Sequence, residues 1–362
     1  MKTMILSMTL FISLLTHADS AFTASSKYQL TTILDVKGVI WGLDFLNENE
    51  FLYTIRDEGK LYHYNMRTKK SQLIYSPKVY SSGQGGLLDV VVLKNGEMTW
   101  VYLTMSIEEK GLATTALVRG QWKKDSLENT KKIFVAKVSS DTTRHFGSRV
   151  VVDGDQLFMT IGDRGERDFA QKLTHHNGKI LRLTLDGKAF SGNPFSKTKG
   201  ALPEIWSYGH RNPQGIAMDR ESKTLYSCEF GPRGGDELNL ISKGKNYGWP
   251  LITYGREYWG PSIGTFEKEG LEQPLAYWTP SISPSGLELY SGDKIPEWKG
   301  DLFLANLSSR HIRRVSIKKG KVIEQESLFN DLKERIRQVR TGPDGALYFS
   351  TDSGKIIQVL KK

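Results

Sequence analysis

Apolar positions along this chain come in short runs of four to seven residues, broken by Gly, Asp, Asn, Ser and Lys. Runs of that length, rich in aromatic and β-branched residues and bounded by turn formers, predict strands. Helical spacing is confined to "DSLENTKKIF" (125–134) and "LFNDLKERIRQV" (328–339), each expected to form a turn or two of helix. The strand pattern also repeats, in "ENEFLYTIRDEGKLYHYN", "NGEMTWVYLTMS", "DGDQLFMTIGDRG", "ESKTLYSCEFGPRG", "KGDLFLANLSSRHIRRVSI" and "PDGALYFSTDSGKIIQVL". Each unit has a polar turn, then an aromatic anchor (Tyr53, Tyr102, Phe158, Tyr226, Phe303, Tyr348), usually followed closely by Ser or Thr. Six units in 362 residues leave room for about four strands each. This predicts an all-β, six-bladed β-propeller with four-stranded antiparallel blades. A pair of β-sandwiches or a β-helix is the competing architecture.

The length fits a single domain over residues 22–362. Residues 1–21 have Lys2, an apolar run from Met4 to about Leu15 and small residues around Ala18 to Ala21. That is the layout of a secretory signal peptide, so the mature protein is expected to be exported, to the periplasm or beyond. No later segment reaches transmembrane length, so no stable membrane insertion is expected. The single cysteine, Cys228, excludes an intramolecular disulfide and is expected to be a small buried residue. The net charge of +10 favours anionic partners, but its lysines are dispersed in turns. No basic helix or basic-aromatic stripe points to nucleic acid.

Four segments carry polar residues that turn chemistry does not explain. "TTRHFGSR" places His145 in a loop before an alternating run that ends at Asp163 in "IGDRG". "SYGHRNPQGIAMD" sets Arg211 beside Asn212, before Pro213, in extended or turn backbone. A guanidinium fork next to an amide suits carboxylates and carbonyls. "EFGPRGGDELNLISKGKNYGWP" joins a Gly-Pro loop at Gly231 and Pro232 to Asp236 and Glu237. Carbonyls with carboxylates are what a hard cation such as Ca²⁺ prefers, although acidic glycine-rich loops are common. In "LKERIRQVR", Arg335 and Arg337 share one face of an extended strand, which is costly unless an anion or solvent lies between them. If the loops converge, they describe a site for a polyanionic ligand, a divalent cation and a base.

The segments "RHFGSR", "IGDRG", "GHRNPQG", "EFGPRGGDELN", "KNYGWP" and "GPDGALYFSTD" resemble the soluble quinoprotein sugar dehydrogenases, especially their aldose sugar dehydrogenase branch. The resemblance runs from about Gly38 to Leu360 and implies a six-bladed propeller. It implies pyrroloquinoline quinone (PQQ) and Ca²⁺ as cofactors, and oxidation of aldose sugars at C1 to lactones. Electrons would leave to a separate acceptor (quinone, cytochrome or dye), from a monomer or weak homodimer. It further implies His145 as general base and Asp163 as its orienting acid. Gln84, Arg211, Asn212, Tyr258, the loop Ser309, Arg310 and His311, and the pair Arg335 and Arg337 match cofactor contacts. Gly231 and Pro232 match carbonyls on the catalytic Ca²⁺, and Glu237 with the Tyr247 carbonyl resembles a second Ca²⁺ site.

Three positions depart from the glucose-oxidising branch. Arg144 replaces an acid before the base, Ser291 stands where a cofactor-binding Lys falls, and Thr253, Gly255 and Glu257 match poorly to the second metal site. Two other functions fit the same fold: a propeller lactonase or hydrolase, and a non-catalytic propeller that binds a glycan or protein. The lactonase would need carboxylates converging on the channel. Loss of His145 or Arg211 would favour the binding module, and both are present.

Overall fold

A computed structural model describes residues 27–137 and 140–362. The expected leader lies outside the described residues. Twenty-four strands form six four-stranded antiparallel sheets. The first four blades cover residues 40–75, 87–135, 150–208 and 213–278, opened by β2 (Ile40–Asn47), β6 (Leu87–Asn95), β10 (Val150–Asp153) and β14 (Pro213–Asp219). The fifth covers residues 284–328, opened by β18 (Pro284–Leu289), and the sixth joins β22 (Ile336–Thr341), β23 (Leu347–Thr351) and β24 (Lys355–Lys361) to β1 (Tyr28–Asp35). Neighbouring first strands pack in a closed ring, and β1 closes it by pairing with β24. This is the six-bladed propeller that the repeats predict.

The apolar runs are short and nearly continuous because each blade is covered on both faces. Six hydrophobic clusters lie between successive blades, as where Phe45 and Tyr53 of the first meet Tyr348 of the last. All six anchoring aromatics lie on second strands. The hydroxyl that follows has its own task. Thr54, Thr104 and Ser350 donate to Leu88 O (2.7 Å), Ser148 O (2.8 Å) and Ile40 O (2.9 Å), each on or beside the first strand of the next blade. First strands have one edge facing the channel, and these bonds satisfy carbonyls that the sheet leaves open.

Arg149 plugs the channel. Its guanidinium donates to carbonyls of Trp41, Gln214, Ser285 and Arg337 and to the Asp89 carboxylate, so it reaches all five other blades. It also lies 3.8 Å from the Trp41 ring centroid. Burial pushes it down to about 10, opposed by Asp89, so it remains charged at neutral pH.

Two expectations need correction. "DSLENTKKIF" lies almost entirely in strand β9 (Ser126–Val135), where pairing with β8 (Leu112–Lys123) overrides a weak helical pattern. In "LFNDLKERIRQV" only Asn330–Leu332 turns, as a 3-10 helix; Leu328 ends the last strand of the fifth blade, and the residues from Ile336 on lie in β22. Cys228 is fully buried, as expected. Among the described residues, no helix is long and apolar enough to cross a membrane.

Candidate active site

His145 lies in the loop that leads into β10. Its backbone is left-handed (φ 56°), as are Ser148 (80°) and Arg164 (58°). Such backbone costs about 1–3 kcal/mol per residue and persists only where the surroundings impose it. Arg164 does much of this: its guanidinium lies 3.5 Å from the Phe146 ring centroid and donates to carbonyls of Ala113, Thr142 and Arg144. Gln84 accepts the His145 N–H at 2.8 Å. Gly162 must be glycine, since a Cβ there would lie 2.1 Å from the His145 carbonyl oxygen.

The His145 Nδ1 lies 2.6 Å from Asp163 Oδ1. Gly165 N–H donates to the same oxygen at 2.8 Å, and Trp249 Nε1–H donates to Oδ2 at 2.8 Å. A carboxylate with these donors is an acceptor, which puts the proton on Nδ1 and leaves Nε2 as a lone-pair base facing the pocket. Burial lowers the His145 pKa; the Asp163 hydrogen bond opposes this, and the Arg211 and Arg144 charges assist it. Burial pushes Asp163 up, but its hydrogen bond to His145 and the charges of His145 and Arg211 outweigh that and hold it below the usual carboxylate value.

Arg211 joins the base to the Gly-Pro loop. Its carbonyl accepts the Asp163 N–H (2.7 Å), its N–H donates to Glu229 Oε2 (2.6 Å), and its guanidinium donates to Gly231 O (2.7 Å). Tyr258, 67% exposed, sets its hydroxyl 3.4 Å from the same guanidinium. Asn212 Oδ1 accepts the Gly147 N–H at 3.2 Å, tying the Arg-Asn pair to the histidine loop. His145, Asp163, Arg211, Pro232 and Tyr258 line a pocket of about 90 Å³. It adjoins an open cavity of about 740 Å³ that shares Pro232 and Tyr258 and extends past Gly231 to Ser308.

The acidic loop divides its labour. Asp236 is a staple: its carboxylate accepts N–H bonds from Gly231, Ile282 and Ser283 and the Ser281 hydroxyl. Glu237 instead faces a small pocket with Glu229, Tyr247 and Thr253. Burial and the neighbouring Glu229 push Glu237 up to about 8. Glu229 is also bonded by His210 Nδ1 at 2.8 Å. Among the described residues no three His, Cys, Asp or Glu form a metal cage, so a cation here would depend on carbonyls. Thr253 Oγ1 caps Gly255 N–H (3.1 Å), and Glu257 is drawn away to Arg167 (2.6 Å).

The remaining expected contacts are more dispersed. Arg335 and Arg337 do share a face, and the anion between them is the chain's own Asp352, at 2.9 and 2.8 Å. Arg337 is buried, and Asp352 is half-buried. Arg310 is exposed, left-handed (φ 55°) and without a side-chain partner among the described residues. Ser309 donates to Ile282 O, and the buried His311 sets Nδ1 3.2 Å from Ser309 O. Ser291 is misplaced by the sequence comparison: it follows the far end of β18 and lines the opposite mouth with Asp44 and Arg340. Trp249, Glu229 and Arg164 escaped the sequence reading. Each sat inside a quoted motif, but nothing in spacing shows what an indole or a second carboxylate touches.

The glucose/sorbosone dehydrogenase family model matches residues 38–358. The chain is 39% identical over 360 residues to aldose sugar dehydrogenase YliI of Escherichia coli, covering 96% of this chain and 97% of the relative. It is similar to a solved glucose dehydrogenase (TM-score 0.88, 39% identity, 91% of this chain and 99% of the other). It is also similar to the PQQ-bound aldose sugar dehydrogenase of Streptomyces coelicolor (TM-score 0.77, 26% identity, 93% and 99%). With the family match spanning nearly the whole propeller, the chain belongs to the glucose/sorbosone dehydrogenase family and is an oxidoreductase.

Proposed function

We propose that this enzyme oxidises aldose sugars at C1 to lactones, with PQQ and Ca²⁺ as cofactors and His145 as general base. The observation that carries this is the His145–Asp163 pair, with Nε2 free at a pocket that Arg211 and the Gly231–Pro232 loop also border. The donor set suits a tricarboxylate quinone: exposed Arg144 and exposed Arg310 offer cationic forks, and Gln84 and Asn212 offer amides. Carbonyls of the Gly231–Pro232 loop would hold the catalytic Ca²⁺ once the Arg211 guanidinium turns off Gly231 O toward the quinone, and Glu237 with Tyr247 would hold the second. Arg335 and Arg337 serve such a ligand best by holding Asp352 and the channel wall, since that carboxylate already occupies them. When bound, the metal-polarised quinone supplies the two-electron sink for the C1 hydride.

The protein's own part is proton chemistry and positioning. His145 Nε2 takes the C1 hydroxyl proton as the C1–O bond becomes a carbonyl. Asp163 stabilises the imidazolium that forms. Arg144, exposed beside the base, is placed to select among sugars. The expected leader puts the mature enzyme in the periplasm, where a separate acceptor takes the electrons.

The test is reconstitution of residues 22–362 with PQQ and Ca²⁺, followed by dye reduction across a panel of aldoses. Cofactor-dependent reduction is expected. His145→Ala should keep cofactor binding and lose at least about a hundredfold in turnover. No reduction with any aldose would overturn the proposal, and hydrolysis of lactones by the cofactor-free chain would favour the hydrolase.

A further inference from the structure

The carboxylate that orients His145 is itself held at its second oxygen. Oδ1 of Asp163 takes His145 and Gly165, and the donor on Oδ2 is the buried indole N–H of Trp249, at 2.8 Å. The indole has little freedom. Its backbone N–H bonds Gly209 O (2.8 Å) and its carbonyl takes the Gln171 amide (2.7 Å). The guanidinium carbons of Arg211 and Arg167 lie 5.4 and 5.8 Å from its ring.

This chain does not require a partner on every hidden indole. Among the described residues, the buried Nε1 of Trp206 has none. Trp249 spends its donor on the one carboxylate that touches the candidate base. An aspartate carboxylate rotates easily about its last torsion unless both oxygens are engaged. With Oδ2 released, that group can turn, or take water, and the histidine ring loses its fixed direction.

We propose that Trp249 is a positioning residue, whose N–H fixes the Asp163 carboxylate in the rotation that keeps His145 Nδ1–H bonded and Nε2 aimed into the pocket. This rests on the reading of His145 as base. The charged groups that share the pocket (Arg144, Arg167, Arg211 and Glu257) are left in place by the tests below.

Trp249→Phe keeps an aromatic ring and removes the donor. In the apoprotein, proton NMR should show a downfield, slowly exchanging His145 Nδ1–H, assigned by its loss in His145→Gln. Trp249→Phe should broaden or abolish it. In the reconstituted enzyme kcat should fall about tenfold or more, with KM for sugar within about twofold, since a misdirected catalytic group costs rate before binding. If Trp249→Phe fails to fold, a benzothienyl-alanine at position 249, which swaps the N–H for sulfur within the same bicycle, replaces it. An unchanged Nδ1–H signal would overturn the proposal and leave Trp249 as packing. The NMR arm needs neither cofactor nor turnover, so it decides the point even if no sugar is oxidised.

Discussion

As the proposed base, His145 must be neutral, and its surroundings favour that form. Burial comes first, the charges of Arg211 and Arg144 add to it, and the Asp163 bond works against them. The folded pKa therefore lies below the ordinary value of about 6.5. kcat/KM should be flat through neutrality and fall only as pH drops through that lowered value. The linkage has the same sign. The unfolded chain binds the proton first, so this residue's share of stability is complete above about 6.5 and is lost as pH falls through the folded pKa. Arg144→Gln removes a charge that depresses the base, so the acid limb of the pH–rate profile should move to higher pH. An unmoved limb would mean that Arg144 does not act on His145. His145 and Asp163, eighteen residues apart in sequence, were legible because each sits in a motif whose chemistry is local. Trp249 was not, because its partner is 86 residues away and indoles in loops carry no signature.

Among the elements, the strands were the most legible. The repeats' aromatics pack between blades, and in three of them the hydroxyl that follows (Thr54, Thr104, Ser350) reaches the next blade, so the pattern follows from the packing. The two weak helical stretches misled because propensity yields to pairing in a closed ring. Loops were legible only as chemistry in waiting. Asp236 and Glu237 are adjacent, yet one folds the loop and the other faces a pocket, a division that depends on which N–H groups come near. That division is testable. With the Glu237 carboxyl pushed up by burial and by Glu229, a cation bound there must displace a proton. Ca²⁺ binding should release protons and tighten as pH rises. Calorimetry in two buffers of different ionisation enthalpy measures this. Glu237→Gln should abolish the release; release that persists in it would place the cation elsewhere.

At the scale of the molecule, Arg149 ties the six blades at the axis through one guanidinium. Arg149→Met strips Asp89 of its buried partner and leaves carbonyls on four other blades without that donor. It should destabilise the fold by roughly 3–5 kcal/mol, the scale for breaking a buried pair. Denaturant unfolding measures it, and a loss under about 1 kcal/mol would mean water replaces the guanidinium. Nothing in the sequence marked Arg149, because its partners are dispersed from Trp41 to Arg337 and become neighbours only on closure. The ring also has a seam, where β1 lies beside β24 and Lys362 N–H bonds Lys27 O at 3.0 Å. Both ends of the propeller therefore emerge together at the outer rim of one blade, away from either mouth of the channel. A tether, tag or electrode linker can be attached beside Lys27 or Lys362 with the same outcome. The enzyme would be held by its edge, with the open cavity beside His145 left clear.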